Sequence, residues 1–136
     1  MQITREFAKY QLVTLEFAQA NVSASQTDVQ LKDASGQVEG ISMPFAGEVL
    51  AVSVDLSAAA TAGSLAVGVS KGGTEAAATV QTLTTAAAAT KAFPRGTMTF
   101  AAGDKLGVEI TTSATWDGTT ADMAVNVFVA LAVEGV

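Results

Sequence analysis

The sequence predicts an all-β protein, an antiparallel β-sandwich or barrel built from about eight or nine short strands. Segments in which apolar and polar side chains alternate recur at spacings of roughly 8–15 residues, and turn-forming residues separate them. Helical segments do not alternate with these strands, as they would in a protein with a parallel sheet. The 136 residues are enough for one domain with one core.

Four strand candidates lie in the first half of the chain: 10–17, 27–33, the residues leading to Met43, and 48–56. The last is the clearest, because one of its faces carries only apolar side chains: Leu50, Val52, Val54 and Leu56. Residues 10–17 also contribute to a helical face, but their alternation favours a strand. Residues 1–9 stay open between an arm, a helix and an extension of that strand.

The second half of the chain holds the remaining candidates: 64–70, 75–83, 96–100, 105–111 and 123–133. The pair Gly72-Gly73 falls between the first two, where a two-residue hairpin turn requires positive φ angles. Residues 84–94 are rich in alanine and threonine and end at Pro94, so we expect a loop or a single helical turn there. This arrangement predicts an interior that includes Val52, Val54, Val67, Val108, Ile110, Val127 and Val129.

The last predicted strand is unusual because both of its faces are apolar. One face carries mostly valines, and the other carries Ala124, Asn126, Phe128, Ala130 and Ala132. A sandwich strand whose outer face is wet should have polar residues on that face. We therefore expect the outer face to be covered by the N-terminal segment or by another subunit. A small patch of exposed alanines is the simpler alternative.

The composition excludes several classes of function. His and Cys are absent, which removes the commonest general base, thiolate metal ligands and disulfides. The net charge is −6 and the seven cationic residues are scattered, which argues against binding to nucleic acid or to a membrane. No apolar run approaches about 18 residues, and the N-terminus does not have the pattern of a signal peptide. We expect no enzymatic activity, no cofactor and no metal.

The most site-like stretch is WDGTTAD, which begins at Trp116. Trp116 could stack on a sugar at the rim of the sandwich, and Asp117 could contact a ligand or, with Asp122, a Ca²⁺ ion. The EF-hand spacing is absent and Asp-Gly is common in turns, so a plain loop is the favoured interpretation. Asp104 and Glu109 form another possible carboxylate pair, but charged residues at a turn and on a strand are usually solvated.

Three segments of the chain are similar to a known family. They are ANVSASQTDVQL, MPFAGEVLAVSVDLSAAATAGSLAVGVSKGGT and GTMTFAAGDKLGVEITTSATWDGTTADMAVNVFV. Together, over about 21–133, they resemble a recurrent β-rich module of tailed-bacteriophage virion proteins. The chain has Asp117-Gly118 where the family pattern has a proline nearby, so the rim loop departs from that pattern.

The resemblance implies a jelly-roll sandwich of the kind found in phage head decoration proteins, head fibres and tail-fibre tips, which typically assemble as trimers. It implies no functional site residue, because the matching positions are turns and core. On this basis we expect residues 21–136 to form the jelly-roll domain and residues 1–20 to form an N-terminal arm or the first strand.

The expected role is that of a capsid decoration protein on the virion surface, made in the host cytoplasm. Its expected partners are its own copies, in a homotrimer, and the major capsid protein. The sequence has no coiled-coil shaft of the kind a fibre needs, and Ile3, Phe7 and Tyr10 suit the first 20 residues to contact with a capsid or a neighbouring subunit. The alternative is a receptor- or glycan-binding tip of a head fibre or tail fibre, with contacts through Trp116 and Asp117.

Overall fold

The computed structural model describes residues 10–38 and 40–133. Within these ranges the chain forms twelve β-strands and one short 3₁₀ helix, Ala77–Thr79. The strands are β1 (Tyr10–Gln19), β2 (Val29–Gln30), β3 (Lys32–Asp33), β4 (Ile41–Ser42), β5 (Gly47–Leu56), β6 (Leu65–Lys71), β7 (Thr74–Glu75), β8 (Gln81–Leu83), β9 (Ala88–Ala92), β10 (Thr99–Phe100), β11 (Lys105–Thr112) and β12 (Met123–Ala132).

The strands form two antiparallel sheets that enclose one core. Sheet A has the order β10-β5-β12-β1-β3, with β9 also paired to β5. Sheet B has the order β2-β11-β6-β7, with β4 paired to β11 and β8 paired to β6. The chain crosses repeatedly from one sheet to the other, which is the arrangement of a jelly-roll sandwich. The predicted fold class is therefore confirmed.

The core lies between the inner faces of the two sheets. Strand β12 is central to sheet A, because it pairs with β1 along one edge and with β5 along the other. Burying a side chain the size of valine or leucine stabilises the fold by about 1.5–3 kcal/mol. All the residues predicted to be interior are buried, which confirms the strand phases at these positions: Val52, Val54, Val67, Val108, Ile110, Val127 and Val129.

Strand β1 confirms the strand predicted at 10–17 and extends it to Gln19. Its inner side chains, Leu15 and Phe17, are buried and lie opposite Val127 and Val125 of β12. The first strand is thus an integral part of sheet A. The predicted arm at residues 1–9 lies outside the described residues.

The alternation predicted for β5 changes side within the strand. Val49, rather than Leu50, is buried in the core. Phe128 of β12 pairs with Ala51, and its successor Val129 pairs with Val49. Leu50 is therefore the extra residue of a β-bulge, which shifts the alternation by one position.

The single strand predicted at 27–33 is wrong. Strand β2 belongs to sheet B and β3 to sheet A, so the chain passes between the sheets inside this segment. Leu31 lies at the crossing, where its side chain is buried and its N–H donates to the carbonyl of Val108 at 2.8 Å. A buried side chain at a crossing gives the same alternation as a continuous strand, which explains the error.

The middle of the chain gives one confirmed turn and two corrections. Gly72 and Gly73 have φ angles of 60° and 83°, as the predicted hairpin turn requires. The returning strand predicted at 75–83 is divided into β7 and β8 by the 3₁₀ helix. The loop predicted at 84–94 contains β9, which pairs with β5. Pairing with a neighbouring strand outweighs the intrinsic helix propensity of alanine in so short a segment.

Candidate interaction surface

The outer face of sheet A carries large apolar side chains that are exposed to solvent. Tyr10 and Leu12 of β1 are 47% and 74% exposed, and Phe128 of β12 is 38% exposed. Ala130 and Ala132 lie directly opposite Leu12 and Tyr10 in the pairing of the two strands. These five residues form the sheet A patch.

The patch follows from the alternation of the two strands. In β1, Leu15 points into the core, so Leu12 points outward. In β12, Phe128 lies between two buried valines and also points outward. Leu12 and Phe128 are diagonal cross-strand neighbours, and residues in such a pair lie about 7–8 Å apart, within reach of aromatic and long side chains. A single partner surface can therefore cover both side chains.

Arg95 lies at the border of the patch. Its Nε donates to Oε1 of Glu48 at 2.7 Å, and its guanidinium carbon lies 5.6 Å from the centre of the Tyr10 ring. The hydrogen bond from Arg95, with a second one from the N–H of Gly96, holds the pKa of Glu48 below its usual value. Arg95 is 63% exposed and Glu48 only 16%, so water screens the pair from the arginine side; the pair adds little to stability but fixes two charges beside the apolar residues.

The cover predicted over the outer face of β12 is not found among the described residues. Ala124 and Phe128 are exposed on that face, and only Ala130 is buried. Strand β1 lies beside β12 in the same sheet, where it extends the outer face instead of covering it. A cover over Phe128 has to come from outside the described residues or from another molecule.

The predicted contact residues are only partly placed by the structure. Ile3 and Phe7 lie outside the described residues, whereas Tyr10 begins β1 and belongs to the sheet A patch. Leu12 lies within the predicted contact segment 1–20 but is not among the contact residues singled out there, and Phe128 is predicted only as a member of the apolar outer face of the last strand. Their alternation is visible in the sequence, but only the pairing of β1 with β12 shows that the two side chains share one surface.

Trp116 does not lie at the rim as the site prediction assumed. Its side chain is 3% exposed, and its indole N–H donates to the carbonyl of Val22 at 3.1 Å. A buried tryptophan whose polar atom has a partner satisfies both the apolar ring and the N–H group. The ring therefore anchors the loop to the core and offers no stacking surface to a sugar.

Asp117 is exposed next to the buried tryptophan. Its carboxylate accepts hydrogen bonds from the hydroxyl of Thr61 and from the N–H groups of Thr61 and Ala62, the latter two at 2.9 and 3.1 Å. These hydrogen bonds lower the pKa of Asp117. Asp122 instead accepts from the N–H of Asn21 at 3.0 Å, so each aspartate ties down a different loop. A rim contact through Asp117 stays a prediction.

The outer face of sheet B is built from polar side chains that cover one another. Glu109 is only 4% exposed, so the expectation that it is solvated is wrong. Gln30 donates to Oε1 of Glu109 at 2.6 Å, and the hydroxyl of Ser70 donates to Gln30 at 3.1 Å. Burial, with repulsion from the Asp28 carboxylate, raises the pKa of Glu109.

A second carboxylate lies on the same face, directly over a glycine. A Cβ atom added to Gly68 would lie 2.7 Å from Oε2 of Glu75, so glycine allows this side chain to lie flat on the sheet. Burial, followed by repulsion from Glu109 and Asp28, raises the pKa of Glu75. This cluster is not evident from the sequence, because its members come from three separate strands, β2, β7 and β11.

Within 10–38 and 40–133, no group of three or more acidic residues is close enough to hold a metal ion. No helix in this part of the chain is long and apolar enough to cross a membrane. Among the described residues, the most exposed large apolar side chain is Leu12, which belongs to the sheet A patch.

No family model matches the chain, and a search of curated proteins finds no match. Among solved structures, the chain is similar to one in the acidic stable capsid structure of Helicobacter pylori bacteriophage KHP30, with 13% identity and a TM-score of 0.48 over 90% of this chain and 93% of that chain. It is also similar to one in the cryo-EM structure of the extra small virus particle of the giant freshwater prawn Macrobrachium rosenbergii, with 13% identity and a TM-score of 0.36 over 88% of this chain and 79% of that chain. At this identity and these TM-scores, neither structure assigns a role to a residue of this chain.

Proposed function

We propose that the chain is a structural virion protein, a capsid decoration protein that binds the outer face of a phage head as a trimer. Its partners are its own copies and the major capsid protein, and its location is the capsid surface after synthesis in the host cytoplasm. The sequence motifs over about 21–133 support this proposal, as does a jelly-roll sandwich in which those motifs form turns and core strands.

The observation that carries the proposal is the sheet A patch. Leu12 and Phe128 are large apolar side chains on the outer face of a sheet, and Leu12 is 74% exposed. Apolar patches on monomeric proteins are small, and contiguous exposed ones mark interaction surfaces. A protein whose role is to adhere to a shell and to its own copies requires such a surface.

The N-terminal segment supplies the second part of the proposed contact. Residues 1–9 carry Ile3 and Phe7 and join the sandwich at Tyr10, inside the patch. Burial of two large apolar side chains in a contact stabilises it by roughly 3–6 kcal/mol before ordering costs are subtracted. Linking several copies in one assembly raises the effective concentration of every further contact.

The proposal is tested with undecorated capsids and a truncated chain. Deleting Met1–Lys9 removes Ile3 and Phe7 and leaves every described strand in place. We expect the truncated protein to melt as the full chain does but to lose capsid binding in a co-sedimentation assay. Thr82→Glu, an exposed change on β8 of sheet B, is the matched control and should bind capsids as the full chain does.

Full-length protein that fails to bind capsids would overturn the decoration role. The alternative role, a receptor- or glycan-binding tip, has the exposed Asp117 in its favour, but the burial of Trp116 counts against it. A glycan array distinguishes the two roles, because a decoration protein should give no signal there.

A further inference from the structure

We infer that the sheet A patch is the receiving surface for the first nine residues of a second copy of this chain, so that copies are joined by exchanged N-terminal segments. The inference deepens the proposed virion role by naming the surface used for self-association. It rests on the exposure of the patch, the point at which residues 1–9 leave the sandwich, and the chemistry of both.

The segment and the patch match in length. Nine extended residues span about 30 Å, which is close to the length of the ten-residue strand β1. Ile3 and Phe7 are the large apolar side chains of the segment after the initial methionine. Leu12 and Phe128 are the side chains on the outer face of sheet A that need such partners.

The charges of the segment and of the receiving face are complementary. The segment MQITREFAK has Arg5 and Lys9 against one acidic residue, within a chain whose net charge is −6. The outer face of sheet A carries the acidic Glu16, Glu48 and Asp55 against the basic Lys32, with Arg95 at the border of the patch, so acidic side chains are in excess on it. Opposite charges around an apolar centre orient a partner and raise its rate of association.

The direction of the chain favours a second copy over the segment's own sandwich. Residue 9 precedes Tyr10 at the end of β1, so covering its own patch requires a reversal of the chain immediately before the strand. Tight reversals depend on Gly, Pro, Asn, Asp or Ser, and the segment contains none of them. The sequence of the segment therefore favours contact with a neighbouring copy over contact with its own patch.

The first test measures self-association by sedimentation velocity. We expect the full chain to associate and deletion of Met1–Lys9 to abolish that association. Leu12→Glu should weaken it by about ten- to hundredfold, because it places a charge where a large side chain is received. Leu12 is exposed, so the variant should melt as the full chain does. Thr82→Glu on sheet B, and deletion of residues 134–136, should leave association unchanged.

The second test uses the absence of cysteine from the chain. Chains with Thr4→Cys and chains with Thr14→Cys are mixed, unfolded, refolded together and oxidised. A disulfide between the two kinds of chain is expected, whereas Thr4→Cys with Thr82→Cys should give none. Thr14 lies opposite Phe128 in the pairing of β1 with β12, beside the patch, and is exposed.

Three results would overturn the inference. The first is a monomeric full chain, and the second is unchanged association after deletion of Met1–Lys9. The third is the lack of a disulfide between the mixed chains when a single chain that carries both Thr4→Cys and Thr14→Cys forms one internally. A monomer that still binds capsids would overturn this inference and leave the virion role in place. An associated protein that binds no capsid would do the reverse.

Discussion

The outer faces of the two sheets differ in how they meet solvent. On sheet B, Gly68 and Gly107 allow the side chains of Glu75 and Gln30 to lie against the strands. On sheet A, the outward positions near the start of β1 carry Leu12 and its neighbours, which remain exposed. The outer face of sheet B is covered by its own polar side chains. The outer face of sheet A has exposed apolar area that only residues outside the described ranges or another molecule can bury.

The size of the outward residues decides which face of the sandwich can form an interface. A glycine leaves room for a neighbouring side chain to form a cover within the same molecule. A large apolar residue occupies that room and presents its own surface to a partner. Alternation alone assigns both sheets an inner and an outer face and does not distinguish them.

The largest effect is expected from placing a charge on the inner side of β12, compared with the same change on its outer side. Val127→Asp buries an unpaired carboxylate between the sheets and should lower the free energy of unfolding by about 3–5 kcal/mol, enough to abolish folding. Phe128→Asp changes the next residue, on the exposed outer face, and should cost about 1 kcal/mol or less. Urea unfolding followed by the fluorescence of the single Trp116 measures both.

Cooperative melting of soluble Val127→Asp protein would show that the strand phase is wrong. Failure of Phe128→Asp to fold would show that the outer face of sheet A belongs to the core of the single chain. Either result would break the contrast between the inner and outer faces on which the proposed interface depends.

A smaller loss of stability is expected from removing the buried side chain that accepts a hydrogen bond from a backbone N–H of β6 in sheet B. Thr79 is buried, and its hydroxyl accepts from the N–H of Val69 at 2.9 Å and donates to the carbonyl of Ala76 at 2.7 Å. Thr79→Val keeps the shape but leaves the Val69 N–H without this partner, at a cost of about 1–3 kcal/mol. Thr82→Val, at an exposed position nearby, is the control. Equal stability of the two variants in urea would contradict this role.

The raised pKa of Glu109 predicts a pH-dependent effect on stability. A carboxyl whose pKa is higher in the folded state holds its proton better there, so its contribution is most favourable at low pH and declines as pH rises from about 4.3 through the folded value. Glu109→Gln keeps an acceptor for Gln30 and removes this decline. The stability of the variant relative to the unchanged chain should therefore increase as pH rises over about three units, from about pH 4 to about pH 7.

Glu48→Gln is the control of opposite sign. Its pKa is lowered by Arg95, so its contribution is present above the unfolded pKa and is lost as pH falls through the folded value. The variant should lose stability relative to the unchanged chain as pH rises. Parallel pH profiles for Glu109→Gln and the unchanged chain would contradict the buried carboxyl on sheet B.

The smallest effect is expected from the ion pair beside the patch. Arg95→Ala removes the bond to Glu48 and the contact with the Tyr10 ring, and should change the free energy of unfolding by about 1 kcal/mol or less. The loss should shrink further at high salt, and Arg95→Lys should retain part of it. A loss above about 3 kcal/mol would show that this border of sheet A is held as tightly as the core.

Much of the fold can be predicted from the sequence because strand alternation is a local property. The period of two places Val52, Val54, Val127 and Val129 in the core, and each is buried. Glycines predict the hairpin at Gly72-Gly73, because a two-residue turn depends on residues that accept positive φ. The absence of His and Cys from the sequence also favours contact surfaces over catalytic sites as candidate functional features.

Other features depend on partners that are distant in the sequence. The bulge at Leu50 is defined by its pairing with β12, and β9 forms because β5 offers an edge for pairing. Trp116 is buried because the carbonyl of Val22 meets its N–H group. Whether a residue is paired, bulged or buried depends on the register of strands that only the folded chain brings together.

The same distinction between local and long-range features applies to the candidate interaction surface. The sequence by itself determined that β1 and β12 each carry apolar residues on the outward side, since alternation fixes the face on which a side chain lies. Only the tertiary structure decided that Leu12 and Phe128 lie on adjacent strands, and that Glu75 and Glu109 cover the opposite sheet. The physical reason is that a side chain's direction follows from its own backbone, whereas its neighbours follow from strand order and register.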